Sequence, residues 1–332
     1  MIDTNILLRA YRFMSQVKAM AETYEANRSV CKYVHSTSRG HEAIQLAAAF
    51  QLQPQDFVSP YYRDESMILG LGFTPYHQML QLLAKGDDIF TGGREYYSHP
   101  NYRGNDKPTM IHQSSATGMQ VIPTTGIAQG IQYLERYNVS LLKKGINGVL
   151  PVTLCSLGDA SVTEGEVSEA FQFAVLKQLP VIYLVQDNNW GISVTAQEAR
   201  SMNAFEFAAG FKGMNRVQVD GSDFEASYSV MKEVVDFVRR ERKPYLVHAQ
   251  VPLLGHHTSG VRREFYRTDE DWARHQEHDP NSKLRKKLVE KGVLENELLH
   301  IEKEAAELVA GDFAKAVASP DPDPATVEDH IF

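Results

Sequence analysis

Pro151-Val152-Thr153-Leu154-Cys155-Ser156-Leu157-Gly158-Asp159-Ala160 and, downstream, Val181-Ile182-Tyr183-Leu184-Val185-Gln186-Asp187-Asn188-Asn189-Trp190 frame the stretch that decides the fold. Each begins as an uncharged apolar run of strand length, the pattern of a parallel strand buried on both faces. Between them, residues 162–177 repeat apolar side chains at helical spacing (Val167, Ala170, Phe171, Ala174, Val175). Glu164, Glu166 and Glu169 stand near the N-terminal turns, where carboxylates suit the helix dipole. Pro180 stops that helix. The unit reads β-α-β, with a carboxylate at the tip of the first strand and an amide at the tip of the second. Parallel strands open on one edge, where such sheets bind ligands. Asp159 and Asn188 are therefore expected side by side. An anionic and a neutral oxygen form a partial shell for Mg²⁺, which takes its remaining ligands from phosphates and water. The pattern asks for a diphosphate cofactor.

Gly158-Asp159-Ala160, a helix, an apolar strand and Asn188-Asn189 resemble the thiamine-diphosphate motif, Gly-Asp-Gly followed by Asn-Asn. With Glu164-Gly165 and Phe171-Gln172-Phe173-Ala174, the run is similar to the α subunit of the decarboxylating component of 2-oxo acid dehydrogenase complexes, nearest the branched-chain type. The likeness extends from about residue 40 to about residue 288. Ala160 departs from the motif's second Gly, and a methyl there is tolerable where φ is negative.

The resemblance implies an α/β fold, a doubly wound parallel sheet of the thiamine-diphosphate-binding type with helical N- and C-terminal extensions. It implies thiamine diphosphate and Mg²⁺ as cofactors, with Asp159, Asn188 and the Trp190 carbonyl as metal ligands and Gly158 and Ala160 beside them. An adjacent alignment register exchanges Asn189 for Asn188; the ungapped match from Gly158 to Ser193 favours Asn188. Tyr62-Arg63 matches the family's Tyr-Arg, which contacts the diphosphate; a guanidinium supplies forked hydrogen bonds to such a group. Gly93-Arg94-Glu95-Tyr96-Tyr97-Ser98-His99 resembles a segment whose histidine approaches the active site, here His99. Small residues ahead of the 124–143 helix suit a bend in the cofactor, with Met119 as the apolar wedge beside Gly118. His256-His257-Thr258 with Tyr266-Arg267 matches the family's His-His-Ser/Thr and Tyr-Arg spacing, so His257 is expected at the diphosphate end, supplying or relaying protons. The Asp-Asp usual in that loop is Gly260-Val261 here, and the Arg usual before Asn-Asn is Gln186.

Composition bounds the rest. The chain has 332 residues, 43% hydrophobic and 23% charged, with a net charge of −8, which argues against nucleic acid as a main partner. Cys31 and Cys155 stand far apart, so a disulfide framework is not expected and a reducing compartment is. No apolar run reaches membrane-spanning length, and the N-terminus does not read as a targeting peptide. A soluble cytoplasmic protein is expected, without membrane partners.

Residues 1–35 read as a helical arm built on an amphipathic 4–29 helix, packing on its own domain or gripping a second subunit. Residues 36–318 form the diphosphate-binding domain with its closing helices. Residues 319–332, Pro/Asp-rich, read as an extended linker or tail, which suits a subunit or the front half of a fused chain. His41 and Glu42, at the start of a second helix, are left unassigned.

The implied reaction is oxidative decarboxylation of a 2-oxo acid, of branched-chain type, with transfer of the acyl group to a lipoyl group on an acyltransferase component. The glutamate that ionises the cofactor's aminopyrimidine comes, in such enzymes, from a β subunit or β half. Nothing here resembles that domain. The chain is thus expected to work in an α₂β₂ assembly; pyruvate or acetoin dehydrogenase, and a non-catalytic subunit of the same fold, are the alternatives.

Overall fold

Strand and helix alternate along the chain in the computed structural model, which describes residues 2–111, 114–143, 145 and 148–328. The order begins α1 (Thr4–Ala26), α2 (Glu42–Ala49), β1 (Phe57–Ser59), α3 (Glu65–Gly70), α4 (Pro75–Leu82), β2 (Thr109–Met110), α5 (Val121–Tyr137), β3 (Thr153–Gly158) and α6 (Gly165–Lys177). It continues β4 (Val181–Asp187), β5 (Trp190–Gly191), β6 (Val194–Thr195), α7 (Ala196–Ala199), α8 (Ala204–Ala208), β7 (Asn215–Asp220), α9 (Phe224–Glu241) and β8 (Tyr245–Gln250). The helices α10 (Asp269–Gln276), α11 (Pro280–Glu290) and α12 (Glu295–Ala318) close the chain.

Six strands form one parallel sheet in the order β2-β1-β3-β4-β8-β7. Every residue of β4 is buried, as an apolar run covered on both faces must be. Side chains alternate between two cores. Leu154, Ile182, Leu184 and Val247 join α1, α2 and α9 on one face. Cys155, Leu157, Tyr183 and Val185 join α5, α6 and α8 on the other. Helices on both faces make the sheet doubly wound, as expected.

Three expected helices differ from their sequence reading, the first being α1, which ends at Ala26 instead of residue 29. The one expected over 124–143 starts earlier, at Val121, and ends at Tyr137. Asn138 leaves helical geometry at φ −159°, its side chain accepts from the Ser140 hydroxyl, and a 3-10 turn follows; short polar side chains compete with the helical ladder in this way. The helix expected from residue 162 is preceded by a 3-10 turn at Asp159–Thr163 and begins at Gly165.

Along α1, Leu7, Ala10, Tyr11, Met14, Val17, Met20 and Tyr24 are buried, packing against α2, α3, α11 and α12 of the same chain. Beyond α12 the chain, expected as an extended linker, packs along the 85–94 loop and closes in a 3-10 turn at Pro324–Thr326. Gly86 N–H donates to the Pro320 carbonyl, Lys85 pairs with Asp321, and Arg94 donates to the Thr326 carbonyl. Residues 329–332, the end of the expected tail, lie outside the described residues. Among the described residues, no helix is long and apolar enough to cross a membrane.

Candidate active site

Because the strands are parallel and in register, Gly158 opposite Gln186 and Asp187 opposite Gln250, their carboxyl ends deliver functional side chains to one edge. Asp159 follows β3 and is 3% exposed. Its carboxylate accepts from Arg200 Nη1 at 2.5 Å, and Arg200 Nη2 lies 2.9 Å from both oxygens of Asp187. His248 Nε2 donates to Asp187 at 2.9 Å, and the Gln218 amide meets His248 Nδ1 at 3.2 Å. Burial raises the Asp159 pKa, Asp187's charge adds to this, and Arg200 opposes it. Burial acts upward on Asp187 too, but hydrogen bonding to His248 and the charge of Arg200 outweigh it and hold Asp187 low.

Asn188 is buried and Asn189 is exposed. The left-handed backbone of Asn189, φ 70°, is one that Asn tolerates, and it folds the Asn188 side chain back on the turn. The Asn188 Oδ1 accepts from the Trp190 N–H at 3.0 Å, so the amide NH₂ must be the end facing His41 Nε2 at 3.2 Å. His41 Nε2 is then the acceptor and Nδ1–H the donor, to Gln186 Oε1 at 2.8 Å. Gln186 in turn donates to Asp64 and to Ser156, both at 2.8 Å. One backbone N–H thereby fixes the direction of a buried chain of hydrogen bonds. Burial, then the charge of Arg63, pushes His41 down to about 3, so it stays neutral as this direction requires. Asp159 and Asn188 share the sheet edge, yet their side chains have different partners: Arg200 and Asp187 for the first, His41 and the Trp190 N–H for the second.

Arg63 and His257 form the adjoining group. Arg63 is 1% exposed; Nη1 donates to the Thr37 carbonyl at 3.3 Å and Nη2 to the His257 carbonyl at 3.0 Å. The Tyr62 hydroxyl lies 3.3 Å from His257 Nε2. Burial, reinforced by Arg63, pushes His257 down to about 3, so it acts as a neutral imidazole. Trp190 packs edge-on against Tyr266, ring centroids 5.3 Å apart. Arg63 Nε, His257 Nδ1 and the Tyr266 hydroxyl are buried with no hydrogen-bond partner among the described residues. Such orphans are costly unless something satisfies them.

Tyr61, Tyr62, His99, Gly118, Gln120 and Ser161 line a narrow cleft of about 20 Å³ beside this group. His99, 3% exposed, donates from Nδ1 to the Tyr97 carbonyl at 2.9 Å and faces the Ser115 hydroxyl with Nε2 at 3.2 Å. Met119 is not brought into this cleft; it is 37% exposed. Gly118, at φ 84°, turns the chain so that Gly118 itself faces Ser161 and Glu164, and a Cβ there would sit 3.1 Å from Glu164. Ala160 is not among the residues of positive φ, so its methyl is unstrained.

Glu65 fastens the His99 loop. Its carboxylate accepts from the Ser38 N–H at 2.8 Å and the Tyr97 hydroxyl at 2.5 Å. Burial raises its pKa to about 7, against those hydrogen bonds. The unfolded carboxyl ionises near its ordinary value, so between the two pKa values the native state binds more protons and stability falls as pH rises. Urea unfolding from pH 4.5 to 7.5 should show a loss on the order of 3 kcal/mol that Glu65→Gln lacks; equal slopes in the two proteins would refute the assignment.

These residues suit a metal-bridged diphosphate. Asp159 and the Asn188 and Trp190 carbonyls are hard oxygen donors of the kind Mg²⁺ takes. Arg63 Nε, His257 Nδ1 and the Tyr266 hydroxyl supply polar atoms in want of partners. The cleft is too small to enclose a cofactor by itself. A larger cavity of about 640 Å³ adjoins it beyond Trp190 and Tyr266, toward β7 and β8, and lies beside the strand tips instead of between β3 and β4.

Residues 11–325 match the model of the dehydrogenase E1 component. The chain belongs to that family. Within it, the chain is similar to the 2-oxoisovalerate dehydrogenase subunit alpha of Bacillus subtilis, 30% identical over 262 residues, covering 78% of this chain and 74% of that one. It is 26% identical over 271 residues to the mitochondrial 2-oxoisovalerate dehydrogenase subunit alpha 1 of Arabidopsis thaliana. That match covers 81% of this chain but only 54% of the plant protein, about half its length. The pyruvate dehydrogenase E1 component subunit alpha of Acholeplasma laidlawii is 29% identical over 259 residues, 78% of this chain and 68% of that one. The family's α-type chains are thus the frame for the site.

Arg200, Asp187, His248, His41 and Gln186 were not singled out as site residues by sequence. Asp187 adjoins the Asn-Asn pair, which is a signal of sorts; nothing in the pattern around Arg200 or His248 marks them.

Proposed function

We propose that the chain is the α part of a thiamine-diphosphate- and Mg²⁺-dependent 2-oxo acid dehydrogenase, of branched-chain type, acting in an α₂β₂ assembly in the cytoplasm. The observation that carries this is the convergence of Tyr62-Arg63, Asp159, Asn188 and the His257 loop on one sheet edge, with buried donors left unpaired there. When bound, thiamine diphosphate supplies the nucleophilic carbon and the electron sink for loss of CO₂. Asp159, Asn188 Oδ1 and the Trp190 carbonyl hold Mg²⁺; Arg63, Tyr62 and His257 hold the diphosphate. His257, as a neutral imidazole, and His99, on the cleft wall, orient the 2-oxo acid and handle protons near its carbonyl. Two thiols not joined to each other, Cys31 and buried Cys155, suit a reducing compartment.

A partner is needed for the other wall and for the activating glutamate. A face of α5 and α6 supports one. Ile122, Tyr133 and Tyr137 are exposed on α5, with Leu176 on α6, and a Cβ at Gly126 or Gly130 meets nothing within 4 Å. An apolar groove of about 680 Å³ lies between the two helices. Exposed apolar surface of this kind marks an interaction site. Gly130→Arg should leave the melting temperature of the chain unchanged or higher, since Gly is a poor helix former, while abolishing the heterotetramer in size-exclusion chromatography. A variant that still assembles would place the β contact elsewhere.

Reduction of a lipoyl acceptor with 2-oxoisovalerate or pyruvate, with and without the β partner, tests the whole reading. Turnover requiring the partner and favouring 2-oxoisovalerate is expected. Full turnover by the isolated chain would refute the shared site, and preference for pyruvate would refute the branched-chain assignment.

A further inference from the structure

Arg200 follows the one-turn helix α7 and reaches back across the strand tips to both buried carboxylates. Resting on the metal site of the proposed function, we propose that Arg200 sets cation affinity at Asp159. Its guanidinium and the divalent ion compete for one carboxylate, and Asp187 keeps the guanidinium when the ion takes Asp159.

The contacts are unequal. Nη1 makes one bond to Asp159, whereas Nη2 reaches both oxygens of Asp187. Asp187 is itself fixed from behind by His248, and His248 by Gln218. Among the described residues nothing comparable holds Nη1, whose bond to Asp159 is the end of the chain. Asp159 and Asp187 are 3% and 9% exposed, so their charges are weakly screened. With Arg200 the trio carries one net negative charge; without it, two. A divalent ion entering with Nη1 still on Asp159 puts two cations on one carboxylate. Rotating Nη1 away, while Nη2 stays on Asp187, relieves that repulsion and keeps Asp187 paired. The usual cost of breaking a buried ion pair by removing one partner is thereby avoided.

Titration of the full chain with Mn²⁺ in the presence of thiamine diphosphate, read by the electron paramagnetic resonance signal of free Mn²⁺, separates this from a structural role. Arg200→Gln should bind Mn²⁺ at least about tenfold more tightly than the wild type, because one repelling charge is gone. Arg200→Lys, which keeps a charge but cannot fork between two carboxylates, should also tighten binding, by less; it carries the test if the glutamine variant does not fold. Unchanged or weaker binding in both variants would overturn the proposal, since a residue that only braces Asp159 weakens the site when lost. Asp159→Asn is the control for the underlying site. If it binds Mn²⁺ like the wild type, the metal site itself is wrong; if it loses Mn²⁺ while the Arg200 variants match the wild type, the role of Arg200 alone fails.

Discussion

Asp159→Ala should abolish Mg²⁺-dependent binding of thiamine diphosphate, weakening it by about 100-fold or more, near 2.7 kcal/mol. Asp159 is the only carboxylate in the proposed metal set, and the other two donors, an amide oxygen and a backbone carbonyl, bring no charge against the ion. Removing it leaves Mg²⁺ with neutral protein oxygens, a shell too weak to hold a hard cation that dehydrates reluctantly. The fold should survive, because Arg200 keeps Asp187 as its partner. Isothermal titration calorimetry, with melting temperature as the control for folding, makes the measurement. Asn188→Ala should be severe as well, whereas Asn189→Ala, at an exposed position, should change affinity little. Binding by Asp159→Ala equal to the wild type, or the reverse order of the two asparagines, would contradict the site.

Arg239→Leu should cost about 3–5 kcal/mol of stability, the cost of leaving a buried charge unpaired. Asp56, fully buried, accepts from the Val152 N–H at 2.9 Å and the Gln53 N–H at 2.7 Å. Arg239, on the last turn of α9, donates Nη1 to Oδ1 at 2.9 Å and Nη2 to Oδ2 at 2.5 Å. It also caps the Leu150 carbonyl at 3.0 Å. This pair bolts α9 to the starts of β1 and β3, so its loss is felt across one whole core. Burial already raises the Asp56 pKa, with Arg239 opposing; without Arg239 it rises further. The native state then holds a proton that the unfolded chain releases, and the cost grows as pH rises. Urea denaturation at pH 5.5 and pH 8 should show the larger loss at pH 8, with part of it recovered by Asp56→Asn in the same chain. A loss below about 1 kcal/mol, the worth of an exposed pair, would contradict this reading.

What the sequence made legible follows from periodicity. The runs 153–158 and 181–187 are largely apolar and uncharged until their ends, the pattern of interior parallel strands, and the Asp159 and Asn188 that follow them share an edge. Tyr62, Arg63, His99 and His257 gather beside one sheet edge because each follows or flanks a strand end or an anchored loop. Arg200 escaped notice because its importance comes from a side chain crossing between two strand tips, which no local pattern records. His41 was left unassigned for a similar reason: its partner Gln186 is far away in sequence, and a histidine at a helix start reads as a cap. Met119 fits an apolar wedge by residue type, but here it stands partly exposed beside left-handed Gly118.

Crystals of the chain with its β partner, grown with Mn²⁺ and thiamine diphosphate, offer the most direct examination of the central claim through the anomalous signal of manganese. One strong peak is expected within coordination distance of Asp159, Asn188 Oδ1 and the Trp190 carbonyl, with the diphosphate reaching Arg63 and His257. A peak elsewhere, such as among Asp271, His275 and His278 in the larger cavity, with nothing on Asp159, would contradict it.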